Sequence, residues 1–229
     1  MANETPIFTQ DTFRFFRDLA RHNRKDWMDA NRERYQRCVV APFRRLLEAL
    51  TPAVLALDPR FGVGGRTGGN FSRIARDIRF AKDKTPYRPQ MYAQFRGGLP
   101  GGKEAGQLYV GLSRDTVTIG FRIYAGGPRK HSPLAQIAAP RVLANPRWLA
   151  QQKKRLGRRY ESYWYAMDKG QWTKRDGWPE KPEDWKRILG WIVRRKMAPA
   201  AATRAGFTNE AARSFREVFP LFRLTSLPD

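Results

Sequence analysis

The sequence predicts an α+β fold in which helices from both ends of the chain pack on an antiparallel sheet. Apolar residues recur every three or four positions near both termini, and three segments between residues 90 and 124 alternate apolar with polar residues. No repeat or long low-complexity tract divides the chain. We therefore expect a single domain over residues 1–229, comprising a helical N-terminal part (1–58), a motif loop and sheet (71–126), and a mixed part with a helical C-terminus (127–229).

The N-terminal part is expected to contain three helices. Thr9 or Thr12 could cap the first helix, Pro42 is expected to begin the third, and Thr51-Pro52 is expected to end or kink it. The apolar faces of the three helices consist, in order, of Phe13, Phe16 and Ala20, of Trp27, Tyr35 and Val39, and of Phe43, Leu46, Leu47 and Leu50.

Two glycine-rich segments, 61–70 (FGVGGRTGGN) and 97–106 (GGLPGGKEAG), are predicted to be loops. Loops of this kind hold phosphates when their glycines follow the dinucleotide-binding spacing or end in Gly-Lys-Ser/Thr. The segment 61–70 has neither pattern, and no clear strand precedes it. We interpret both segments as flexible connections.

The segments QMYAQFR, QLYVGLS and TVTIGFRIY are predicted to be strands, because their apolar residues recur at every second position. The residues SRDT form a plausible hairpin turn between the last two strands, which makes those strands antiparallel neighbours. Two further helices are expected near the C-terminus. Their apolar faces consist of Trp185, Ile188, Leu189, Ile192 and Val193 in the first and, after a cap at Thr208, of Ala211, Phe215, Val218 and Phe222 in the second.

The composition points to a polyanion as the partner, because a formal net charge of +23 is far more than solubility requires. No run of eighteen apolar residues occurs, and the N-terminus lacks a signal-peptide pattern, so we expect a cytoplasmic protein that does not enter a membrane. Cys38 is the single cysteine, and His22 and His131 are the two histidines. We therefore expect no disulfide, no metal site and no cofactor.

Three catalytic arrangements have weak support in the sequence. Ser132 follows His131, but adjacency along the chain is not the geometry that a catalytic triad requires. Asp77 and Asp83-Lys84 only loosely resemble a metal-dependent nuclease motif, because the spacer before the lysine is missing. As an acid/base pair, Asp77 and Asp83 would be kept ionised by the surrounding arginines. The sequence therefore assigns no catalytic residue.

The segment RIARDIRFAKDKTPYRP, residues 73–89, is the first candidate site. Its periodicity fits one face of a helix or one face of a strand equally well, and Thr85-Pro86 requires an extended backbone. Guanidinium groups bind phosphates and carboxylates bidentately, so a rigid loop here suits an anion. The alternative is an internal Arg–Asp network that fastens a loop to the sheet. We predict Asp77, Asp83 and Tyr87 as orienting residues, and as anion-binding residues Arg73, Arg76, Arg79, Lys82, Lys84 and Arg88.

A second candidate lies in a span without any acidic residue, from Thr116 to Tyr160. Its densest part is the 153–159 patch, which we predict to bind anions through Lys153, Lys154, Arg155, Arg158 and Arg159. Aromatic residues beside phosphate-binding cations can hold single-stranded nucleic acid, and here the cations are followed by Tyr160, Tyr163, Trp164 and Tyr165. The alternative is a strand whose aromatic residues pack in the core while the charges form a solvated face.

The motif RIARDIRFAKDKTPYRP resembles the signature of domain-of-unknown-function family 2461, which reads approximately R-I-x-R-D-x-R-F-x-K-D-K-x-P-Y-K. The segments FFRDLARHNRKDWMDANRERY and LYVGLSRDTVTIGFRIY are also similar to that family, so the resemblance covers about the first 125 residues. His22 and Met28 depart from the family's usual residues. The resemblance implies the fold and the importance of the motif, but it names no substrate.

The sequence leaves three functions open. The leading one is a non-catalytic protein that binds nucleic acid or another polyanion through phosphates. The second is an enzyme acting on a phosphorylated or nucleotide substrate at the RDIRFAKDK loop, which would need a concave pocket with Asp77 or Asp83 not bound by arginine. The third is a structural or protein-interaction role, which would need an exposed apolar patch.

Overall fold

A computed structural model describes residues 5–97, 106–125 and 133–226. The predicted loop 97–106 therefore lies almost wholly outside the described residues, as do His131 and Ser132. The helices are α1 (Gln10–Arg21), α2 (Lys25–Ala30), α3 (Arg32–Tyr35), α4 (Ala41–Leu55), α5 (Pro133–Ala144), α6 (Pro146–Leu156), α7 (Pro182–Arg187) and α8 (Phe207–Ser226). The strands are β1 (Gln90–Arg96), β2 (Gln107–Ser113), β3 (Val117–Tyr124), β4 (Glu161–Asp168), β5 (Gln171–Asp176) and β6 (Ile188–Met197).

The six strands form one antiparallel sheet in the order β1-β2-β3-β6-β4-β5. The predicted hairpin between β2 and β3 is present, and Ser113 N–H donates to the Thr116 carbonyl at its turn. The register places Leu108 opposite Phe121 and Val110 opposite Ile119, so the apolar residues of both strands share one face. The α+β fold with an antiparallel sheet is confirmed.

The main core lies between the apolar face of the sheet and the helices. Helix α8 packs on β2 and β3, α5 packs on β6, and α4 packs on β1 and α8. Phe215 of α8 meets Phe95 of β1 edge to face at 5.7 Å, a favoured geometry for two aromatic rings. Helices from both ends of the chain therefore cover the same face of the sheet.

The N-terminal helices differ in two details from the sequence prediction. Helix α4 continues past Pro52 to Leu55, because burial of Val54 outweighs the one backbone hydrogen bond that proline removes. The predicted second helix is divided at Asn31 into α2 and α3, and a π-helical turn over Gln36–Val40 leads into α4. Cys38 lies buried in that turn, and desolvation raises the pKa of its thiol to about 11.

The predicted helix with Ile188 and Val193 on one face is wrong. Helix α7 ends at Arg187, and the apolar run from Ile188 forms the central strand β6, between β3 and β4. A central strand buries side chains on both faces, so its sequence loses the alternation that would identify it. Gly190 fits this placement, because a Cβ atom there would lie 2.8 Å from the ring of Tyr124. Helix α8 is confirmed, with Thr208 inside its first turn rather than capping it.

In the described part of the chain, no helix has both the length and the apolarity to cross a membrane.

Candidate anion-binding site

The motif, residues 73–89, is neither a helix nor a regular strand. It forms an irregular extended hairpin beside the edge strand β1. Ser72 N–H donates to the Tyr92 carbonyl of β1 at 3.0 Å, which attaches the start of the hairpin to the sheet. Arg76 N–H donates to the Pro86 carbonyl and Arg88 N–H to the Ile74 carbonyl, both at 2.8 Å. These bonds bring the two arms of the motif side by side.

Asn23 clamps the returning arm of the hairpin. Its amide nitrogen donates to the Tyr87 carbonyl at 2.8 Å, and its amide oxygen accepts from the Tyr87 N–H at 3.0 Å. The Tyr87 side chain packs against the core, and the orienting role that we predicted for this residue stays a prediction. The sequence offered Asn23 only as part of the break between α1 and α2, not as a site residue.

Replacing Asn23 by alanine is expected to destabilise the fold by about 1–3 kcal/mol, because it leaves a partly buried N–H and carbonyl without partners. Urea denaturation measures this loss. Lys25→Ala is a matched control at an exposed neighbouring position and should unfold at the midpoint of the parent protein. An unchanged midpoint for Asn23→Ala would show that the clamp contributes nothing.

The two carboxylates of the motif each hold an arginine. Asp77 accepts from Arg79 Nε at 3.0 Å and from Arg79 Nη2 at 2.8 Å, a bidentate pair. Asp83 accepts from the Thr85 N–H at 2.9 Å and forms an ion pair with Arg76. Each aspartate thus contacts one arginine of the motif, and the orienting role in anion binding stays a prediction.

The same contacts keep both carboxylates ionised. The side-chain hydrogen bonds from Arg79 lower the pKa of Asp77, and the Thr85 N–H together with Arg76 lowers the pKa of Asp83 to about 2. The pKa of Asp83 in the folded protein lies below its ordinary value of about 3.9. Its ion pair therefore contributes fully to folding stability above about pH 4, and that contribution is lost as the pH falls through about 2. Neither carboxylate can serve as a proton donor near neutral pH.

The motif lines an open cavity of about 570 Å³, here called the motif pocket. Four guanidinium groups and one carboxylate contribute to its wall: Arg73, Arg76, Arg79, Arg88 and Asp77. Asp77 pairs with Arg79, and Arg76 pairs with Asp83 outside the wall. Among the described residues, no carboxylate lies within ion-pairing distance of Arg73 or Arg88. The pocket therefore has two cations without a described carboxylate partner, and Arg88 Nη1 donates to the Arg73 carbonyl at 3.4 Å.

The two lysines predicted for this site do not line the pocket. Lys84 Nζ donates to the Ile78 carbonyl at 3.1 Å and to the Arg79 carbonyl at 3.4 Å, so it braces the hairpin. Lys82 is exposed and lies outside the pocket wall. The structure thus brings together four of the six cations predicted for the motif.

A second cavity adjoins the motif pocket, and a third adjoins the second. The second, of about 270 Å³, shares Arg73 with the motif pocket and extends to Arg44 on α4, and the third, of about 420 Å³, shares Arg44 with the second and extends to Arg37. The three cavities together, here called the arginine groove, are lined by six arginines and two carboxylates: Arg37, Arg44, Arg73, Arg76, Arg79 and Arg88, with Glu33 and Asp77. A basic track therefore continues beyond the motif.

The 153–159 patch is partly neutralised by acids from later in the chain. Lys153 forms an ion pair with Glu180, and Arg159 forms one with Glu217 at 3.0 Å. Arg155 donates to Gln152 Oε1 and to the Glu217 carbonyl. Lys154 and Arg158 remain exposed. The span from Thr116 to Tyr160 contains no acidic residue, but in the folded protein Glu180 and Glu217 lie next to its cations.

The aromatic residues after this patch form strand β4 and divide between the two faces of the sheet. Tyr160, just before the strand, and Trp164 are buried in the core, whereas Tyr163 and Tyr165 lie on the opposite face. The Tyr160 hydroxyl donates to the Glu217 carboxylate at 2.5 Å. This arrangement agrees with the alternative in which these residues belong to a strand.

The sheet face opposite the helices carries a Tyr–Arg cluster that the sequence analysis missed. Arg122 lies between the rings of Tyr92 and Tyr109, with 4.7 and 4.6 Å from its guanidinium carbon to the two ring centres. Its Nη2 donates to Gln94 and its Nε to Gln107. The alternation of residue types along β1, β2 and β3 could have indicated this cluster, because the positions that face away from the core carry tyrosine, glutamine and arginine.

The fold and the site together define a class: an antiparallel α+β protein with an arginine-lined pocket beside the edge strand of its sheet. The chain belongs to the family described as conserved hypothetical protein (DUF2461), which matches residues 11–223. The resemblance inferred from the motif is thus confirmed, and it extends over most of the chain. No curated protein matches the sequence.

Proposed function

We propose that this protein binds nucleic acid in the cytoplasm through its phosphates, with the motif pocket as the main site, and that it performs no chemistry on them. The observation that carries the proposal is the lining of the pocket, which contains four arginines and a single acidic residue. Arginine suits this role because its planar fork donates two parallel hydrogen bonds to a phosphate. Arg73 and the remaining N–H groups of Arg88 provide donors without a carboxylate partner among the described residues, and the other two arginines add positive charge.

The bracing of the hairpin supports tight binding. Asn23 clamps Tyr87, Arg76 N–H and Arg88 N–H bond across the hairpin, and Asp77 orients Arg79. A site that is already ordered loses less conformational entropy when the ligand binds. The arginine groove favours a long polyanion over a single phosphate, since Arg44, which has no carboxylate partner among the described residues, extends the positive charge beyond the pocket.

An enzyme acting on a phosphorylated substrate at this loop is the second candidate. The pocket is concave, as an enzyme requires. Both oxygens of Asp77 accept hydrogen bonds from Arg79, however, and Asp83 is bound to Arg76 and Thr85. A general base has to accept a proton at the working pH, and the lowered pKa of each carboxylate makes it a poor acceptor. Binding without catalysis is therefore the better supported function.

Fluorescence anisotropy with a labelled single-stranded oligonucleotide tests the proposal. If the arginine groove neutralises about six phosphates, the logarithm of the affinity should fall against the logarithm of the salt concentration with a slope of roughly −4. No binding at low salt, or a slope near zero, would rule out binding through phosphates. Turnover of a nucleotide or phosphomonoester by the same preparation would favour the enzyme instead.

A further inference from the structure

Phe80 is a large apolar side chain of the motif that is almost fully exposed to solvent. It stands at the tip of the hairpin with 95% of its surface exposed, whereas the next most exposed large apolar residues that the structure describes reach 42%. An exposed phenyl ring adds nothing to the core, because its apolar surface stays in water. The stability of the fold therefore does not explain why this position carries an aromatic residue.

The hairpin tip is ordered around this exposed ring. On one side Asp77 holds Arg79 in a bidentate pair, and Lys84 Nζ bonds the carbonyls of Ile78 and Arg79 just before Phe80. Ala81 N–H donates to the Ile78 carbonyl at 3.3 Å and closes the turn beneath the ring. These polar contacts satisfy the backbone and leave the phenyl group as the projecting part of the tip.

Phe80 also lies next to the cations of the motif pocket. The guanidinium carbon of Arg79, which lines the pocket, is 5.9 Å from the centre of the Phe80 ring. A ligand with a phosphate in the pocket and an adjoining flat, apolar group would contact both. Nucleotides of a single strand have this construction, and their bases are available because they are not held in a duplex.

We infer that Phe80 is a stacking platform for a base of single-stranded nucleic acid whose phosphates bind in the motif pocket. This inference rests on the proposed function and adds the form of the ligand: a single strand with accessible bases. A base that stacks on an aromatic ring gains affinity with little preference for its identity, because every base has a flat face. Binding should accordingly be stronger for single strands than for duplexes of the same sequence.

Three substitutions of Phe80 test the inference with a labelled single-stranded oligonucleotide and an abasic oligonucleotide of equal length. Phe80→Ala should weaken binding of the normal strand by about 5- to 150-fold, the range expected for losing one stacked base, and should leave abasic binding unchanged. Phe80→Trp should bind the normal strand at least as well as the parent. Phe80→Leu should bind as poorly as the alanine variant, because it keeps apolar volume but has no ring.

Each contrary outcome has a distinct meaning. Equal binding of the normal strand by Phe80→Ala and the parent would overturn the inference while leaving phosphate binding in the pocket intact. If Phe80→Leu bound the normal strand with the affinity of the parent, the contact would be apolar and not a stacked ring. The same conclusion would follow if Phe80→Ala lost as much affinity for the abasic strand as for the normal strand. In this experiment, the result that would count against the proposed function itself is a parent protein that binds neither strand. Because Phe80 is exposed, all three variants should melt with the parent, which makes their affinities comparable.

Discussion

Replacing Arg73 and Arg88 together by glutamine is expected to weaken binding of a single-stranded oligonucleotide by about 100-fold. The two arginines line the motif pocket, and neither has a carboxylate partner among the described residues. A hydrogen bond to a charged group contributes about 1.5–3 kcal/mol, so two lost phosphate contacts correspond to roughly two orders of magnitude even when part of the loss is compensated. The salt slope should become less negative by about 1.4, since each phosphate contact on a single strand contributes about 0.7.

A matched double variant distinguishes the loss of phosphate contacts in the pocket from a general loss of two positive charges. Arg213 and Arg216 on α8 are also exposed, lie outside the arginine groove, and can be replaced by glutamine with the same loss of charge. This control should lose no more than about threefold in affinity, because it changes only the distant field. Equal losses in the two double variants would contradict the pocket. Thermal denaturation should show both variants folded, since all four positions are exposed.

Replacing Gly120 by alanine is expected to have the largest effect on stability, a loss of about 3 kcal/mol. Gly120 lies in β3 opposite Arg194 of the central strand β6. A Cβ atom at this position would clash with the Val193 carbonyl and lie 2.6 Å from the Arg194 Cα, both on the backbone of the neighbouring strand. A flexible side chain could turn aside, but a paired strand has to separate to make room.

Urea denaturation measures the effect, with Gly64→Ala as the control. Gly64 is exposed, and a Cβ atom there would meet nothing within 4 Å, so this variant should unfold like the parent or slightly later. An unchanged midpoint for Gly120→Ala would contradict the pairing of β3 with β6.

Local patterns predicted the parts of the fold whose contacts are close in sequence. Helix α1 and the β2–β3 hairpin are recognisable because the apolar residues of each lie mainly on one face, which gives them a period of 3.6 or 2. The same reasoning failed for β6, where both faces are buried and the period disappears. It also could not choose a structure for the motif, because the bonds of that hairpin run to Tyr92 and across its own arms.

The candidate site was predicted in composition but not in geometry. The arginines and aspartates of the motif were identifiable, since dense opposite charges beside two prolines are visible in the sequence. Which arginines remain available depends on pairing: Arg79 is bound by Asp77, while Arg73 and Arg88 are not bound by a described carboxylate. The 153–159 patch shows the same limit, because Glu180 and Glu217 reach it from distant parts of the chain.

The sequence by itself determined the net charge, the helices at both ends, the β2–β3 hairpin, the motif and, through that motif, the family. Tertiary structure alone decided that Ile188 begins a central strand, that Asn23 clamps Tyr87, and that four arginines form one pocket while Phe80 projects beside it. The physical reason is the range of the interactions. Helical and strand periods reflect burial along one element, whereas ion pairs, clamps and pockets depend on which distant segments meet, and a linear pattern does not contain those distances.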